Sequence, residues 1–102
     1  MTYLDVVANE IRSEVPIDAL PDEDTSDLFR LYAVLLLAKG QAVSRQDVHN
    51  AWVAWMSAHG EQHSSMRPFE ELPDNTQAED SPFVLAIRRV ADRRSHGRRP
   101  AS

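Results

Sequence analysis

The chain has 102 residues, 42% apolar and 26% charged, proportions that exclude wholesale disorder and fit one domain with its own core. The lack of cysteine excludes disulfide scaffolds, thiolate zinc sites, iron–sulfur centres and thiol catalysis. The net charge of −5 is unevenly spread. Residues 1–87 hold fifteen acids against five cations, whereas residues 88–102 hold six arginines against Asp92.

The first element is a helix that starts at Thr2. Asp5 stands at capping-box distance, and Met1 with Val6 could form the accompanying staple. Leu4, Val7, Ala8, Ile11 and Val15 share one face, and Pro16 stops the helix. Residues 16–24 form a connector with Leu20 tucked under the core. Asp24 or Thr25 caps a second helix over about 25–39. Its run from Leu31 to Ala38 is apolar nearly all round, which predicts a central, buried helix. That run is also too short for the ~20 residues of a membrane span. Lys39 and Gly40 close the helix.

Ser44, with Asp47 three residues on and a Val43–Val48 staple, starts a third helix that Gly60 ends. Val48, Ala51, Trp52, Trp55 and His59 lie at helical spacing along it. Residues 60–74 read as an ordered loop with one short helical turn within 63–73. A last helix runs from about Thr76 or Ser81 to Arg94, with Pro82 in its first turn and Phe83, Ile87, Val90 and Ala91 facing inward. No segment alternates with period two. The expected fold is all-α: a compact bundle of four to five helices, residues 1–94, with an ordered loop before the last helix. Residues 95–102 are expected to be a basic, disordered tail, and Arg88 to Arg94 a solvated face. With no basic leader or cleavage site at the start, the expected location is cytoplasmic, away from membranes.

The chemistry-bearing patterns mostly fail on spacing. The acidic stretch from Asp22 to Asp27 lacks the glycine and glutamate of a calcium loop, since Asp27 and Ala33 stand at those positions. His59 and His63 are four apart, but Gly60 breaks the helix that would align them, so no metal is expected. Ser64 and Ser65 sit in no nucleophile elbow, and three glycines make no phosphate cradle, so an enzyme is not expected. Helices two and three also have helix–turn–helix spacing and would present Arg45, Gln46, Asp47, His49 and Asn50 to DNA. The acidic body opposes phosphate, which makes nucleic acid the weaker expectation. Trp52 and Trp55 suit either a core or a pocket wall.

Residues 47–91 resemble the ryanodine-receptor repeat domain. That family shows a histidine and tryptophan on a helix, then His-Pro-x-Leu-Val-Pro-Tyr-x-x-Leu-Pro, then Lys-x-x-Asp-Arg. His49 and Trp52, then His63, Pro68, Phe69, Leu72, Pro73 and Asp80, carry the likeness, while Gln77 and Ser81 replace the two cations. The whole chain is also similar to a small uncharacterised family of actinobacterial and actinobacteriophage proteins. The stretches that carry this are Tyr3 to Val7, Leu28 to Gly40 and Val48 to Met56. The resemblance implies a non-catalytic helical binding module, with a nucleotide-like small molecule as its ligand. The site residues expected on that basis are His49, Asn50, Trp52, Trp55, His63, Arg67, Phe69 and Glu71, with no cofactor and no metal. The alternative expectations are a protein partner or homodimer, and the helix–turn–helix reading.

Overall fold

A computed structural model describes residues 2–21 and 23–97, with side chains through Ser95. It is all-α: no strand occurs among the described residues. Four long helices, α1 (Tyr3–Glu14), α2 (Ser26–Lys39), α3 (Arg45–Ala58) and α5 (Ser81–Gly97), build the body. A single-turn helix, α4 (Asp74–Gln77), and short 3₁₀ turns fill the connections.

The capping signals act as the sequence predicts. Thr2 and Asp5 form a reciprocal box on α1, and Ser44 and Asp47 form one on α3. Val43 and Val48, the residues flanking the α3 start, are both fully buried. Val6 is exposed, and its expected staple partner, Met1, lies outside the described residues. At the start of α2, Thr25 occupies the N-cap position without a side-chain cap bond. The Asp24 carboxylate instead accepts from the Ser26 N–H at 3.0 Å. Gly40 ends α2 at φ +56°, ψ −125°, and Gly60 follows α3 at φ +71°, both in territory that favours glycine.

The core gathers Val7 and Ile11 of α1, Phe29, Tyr32 and Ala33 of α2, Val48 of α3, and Ile87 and Val90 of α5. Leu4 and Leu20 pack against it, as does Phe83, whose ring stands 5.7 Å from that of Tyr32. Helix α2 is central, since α1, α3 and α5 all pack on it, yet it is not buried all round. Val34 and Leu37 remain nearly half exposed. The apolar run from Leu31 to Ala38 exceeds what three neighbouring helices can cover.

Two further expectations are corrected. The final helix continues to Gly97 and not Arg94, so residues 95–97 of the expected tail are helical, while 98–102 lie outside the described residues. The arginines of α5 do not simply face water. Arg93 pairs with Glu14, and Arg94 with Glu10 at 2.8 Å, tying α5 to α1. Arg88 donates through Nε to the Val43 carbonyl at 2.9 Å, fixing the turn before α3.

Candidate functional site

A cavity of about 580 Å³ opens between α2, α3 and the segment leading into α5. That volume lies within the ~300–1,000 Å³ of small-molecule sites. Its apolar surface comes from Leu28 and Tyr32 of α2, Trp52 and Trp55 of α3, Leu72, and Phe83 of α5. Its polar surface comes from Asp18 and Glu23 in the 16–25 connector, Thr25, His49, His63, Ser65 and Thr76, and the neighbours Glu79 and Asp80.

The capped start of α3 sets the register that turns His49, Trp52 and Trp55 toward this side. His49 is buried, with its ring Nε2 2.6 Å from the Arg67 carbonyl oxygen. A carbonyl only accepts, so Nε2 carries the proton and donates. The bond pins the 63–72 loop against α3. Gln77 holds the same loop from below, its side-chain amide donating to the carbonyls of Phe69 and Leu72 at 3.0 and 3.1 Å. His63 accepts through Nδ1 from the Ser65 N–H and meets the Trp52 ring edge-on at 5.3 Å.

Two buried polar atoms in the residues of this wall have no hydrogen-bond partner. They are the Thr25 hydroxyl and the Trp55 indole N–H. Thr25 is fully buried and Trp55 is 8% exposed. An unmade bond at such a group costs about 1–3 kcal/mol. Burial pushes the Asp80 carboxyl up to about 6, with Glu79 adding to the rise while His49 and Arg45 oppose it. Burial also holds the Tyr32 phenol above its ordinary range, so it stays protonated.

Of the expected site residues, His49, Trp52, Trp55 and His63 come together on the cavity. The other four do not line it. Asn50 is exposed, and Arg67 contributes only its carbonyl, to His49. Phe69 lies tilted against His49 at 6.0 Å, with the Arg45 guanidinium over its ring at 5.9 Å, and Glu71 is exposed. The two tryptophans serve both expected roles, packing against the core and lining the cavity. Sequence reading missed the opposite wall, including Asp18, Glu23, Thr25, Tyr32 and Glu79. In the sequence, Asp80 stands out only as a position of resemblance.

On the helix–turn–helix face, His49 is buried and Asp47 pairs with Lys39 at 2.8 Å. Arg45, Gln46 and Asn50 remain exposed. Among the described residues, no three histidine or carboxylate side chains are grouped to hold a metal, and no helix is long and apolar enough to cross a membrane.

Fold and cavity define the class: a small all-α protein with a mixed aromatic and acidic cleft between its helices. The chain belongs to DUF7701, a domain of unknown function, which it matches over residues 2–92. No curated protein and no solved structure matches it.

Proposed function

We propose that this protein is a non-catalytic small-molecule-binding module whose ligand sits in the cavity between α2 and α3. The observation that carries the reading is the cavity itself, about 580 Å³, with Tyr32, Trp52, Trp55 and Phe83 on its wall beside the polar side chains of His63, Ser65 and Asp80. The polar lining would meet a ligand's hydrogen-bonding edge, and its flat body would stack on Trp52 or Trp55. Stacking of that kind contributes about 1–3 kcal/mol per ring, by analogy with base–aromatic contacts. The likeness of residues 47–91 to the ryanodine-receptor repeat supports the same reading. The setting in this proposal is a bacterial or phage cytoplasm, where the module senses or sequesters its ligand, a nucleotide-like molecule being one candidate.

Native mass spectrometry of the protein from its natural host, against a denatured sample, tests the proposal. The expected result is a retained small-molecule mass that leaves on denaturation. An empty chain, together with tryptophan emission unmoved by any member of a metabolite library, would overturn it.

A second reading, a homodimer or protein adaptor, draws support from Val34 and Leu37, apolar neighbours three residues apart on the exposed side of α2. Light scattering over a concentration series reads this out. A rise to dimer mass supports self-association, and a constant monomer mass removes it.

A further inference from the structure

We infer that the ligand of this cavity is a protonated amine carried on a flat apolar body. The inference rests on the binding reading above and specifies the chemistry of that same site.

The cavity gathers carboxylates without a lysine or arginine among them. Away from it, Asp5 and Asp27 pair with Arg30, Asp47 with Lys39, Glu14 with Arg93, and Glu10 with Arg94, while Glu61, Glu70, Glu71 and Asp74 are exposed to solvent. Four carboxylates line the cavity, Asp18, Glu23, Glu79 and Asp80, and neither lysine nor arginine lines it. Among the described residues, no salt bridge or hydrogen bond reaches any of the four. Of the two groups of α3 that oppose the rise at Asp80, His49 is bonded to the Arg67 carbonyl and Arg45 lies over the Phe69 ring, so neither binds a carboxylate.

Ordinary solvation accounts for unpaired acids in open water, but Asp80 is drawn out of water. Burial is the leading influence on its carboxyl and disfavours the charged form. Glu79, its neighbour in sequence, repels it further. A cation in the cavity relieves both effects at once. The aromatic wall points the same way, because the negative face of an indole attracts a desolvated cation. Trp52 and Trp55 both line the cavity, with Tyr32 beside them. An anionic ligand such as a nucleotide phosphate would meet four like charges with no lysine or arginine on the lining.

A matched trio of probes separates charge from shape: tyramine (cation), tyrosol (neutral) and 4-hydroxyphenylacetate (anion). All three share the same phenol ring, so shape and ring chemistry are held constant. Calorimetry or selectively excited tryptophan emission measures their affinities for the full chain. Tyramine is expected to bind about tenfold more tightly than tyrosol, with 4-hydroxyphenylacetate weakest. Asp80→Asn and Glu79→Gln, verified as folded by circular dichroism, should each shrink the ratio of tyramine to tyrosol affinity. Equal affinity for tyramine and tyrosol, or tightest binding of the anion, would overturn the charge inference while leaving the binding module standing. Saturable binding of none of the three overturns the inference, and an empty native mass spectrum beside it removes the binding module too.

Discussion

Asp80 couples the cavity to pH. Its carboxyl, raised to about 6 in the folded chain, returns to about 3.9 on unfolding. The folded state therefore holds the extra proton between those values, and this group's contribution to stability declines as pH rises from about 4 to about 6. The groups acting on it are Glu79 on its own turn, and His49 and Arg45 from α3. Asp80→Asn should match the wild type near pH 4 and exceed it at pH 7. After allowance for the solvent that screens it, the gain is on the order of 1 kcal/mol. Asp5 works in the opposite sense, since the Thr2 backbone N–H and Arg30 hold it down to about 2. The difference between variant and wild-type denaturation curves cancels that contribution; a flat difference from pH 4 to 7 would refute the assignment. Thr25 allows a second residue-level prediction. Its hydroxyl is buried, unpartnered and makes no cap bond. Thr25→Val should therefore stabilise the ligand-free protein by about 1 kcal/mol, raising Tm by roughly 4–8 °C. A lower Tm would show that the hydroxyl has a partner after all.

Among the elements, the ends of α2 and α3 carry the most sequence information and the clearest costs. Gly40 lies at φ +56° with ψ −125°, outside the left-handed helical well that other residues tolerate, and a Cβ there meets no atom within 4 Å. The cost of Gly40→Ala is thus purely conformational, about 1–3 kcal/mol in chemical denaturation. Ser44→Ala removes the acceptor for the Asp47 N–H and should cost about 1 kcal/mol. A neutral result in both would mean that tertiary packing alone fixes the turn. The same local signals explain why α1 and α3 are legible in the sequence: their caps and stops involve residues three or four apart. The cavity is legible only on the α3 side, where helical spacing joins His49, Trp52 and Trp55. Its other wall is assembled by folding. Asp18 and Glu23 look like connector acids, Thr25 like a cap, Tyr32 like one more member of an apolar run, and Glu79 like a helix-start charge. Asn50, Arg67 and Glu71 mislead for the converse reason. They neighbour site residues in the chain, but helical rotation and the His49–Arg67 bond place their side chains off the cavity.

At the scale of the whole molecule, the cavity is where distant parts of the chain meet. The 16–25 connector, α2, α3, the 63–72 loop and the turns before α5 each supply lining residues. The connector and loop are held by few bonds of their own; His49 and Gln77 supply three of those on the loop. An occupant touching all of these segments bridges them, so its binding free energy becomes folding free energy. At a hundredfold excess over Kd, a cavity ligand should raise stability by about 2.7 kcal/mol. For a domain of this size that corresponds to a Tm increase of roughly 10–20 °C. The protection is also directional: hydrogen exchange should slow in residues 16–25 and 63–72, with little change at α1, whose residues do not line the cavity. Tyramine tests this in a thermal melt paired with hydrogen exchange. A Tm increase with protection confined to α1 would place the ligand elsewhere and remove the cavity from the function. Protection centred on the connector and loop, lost in Asp80→Asn, would tie the stabilisation to the acidic wall.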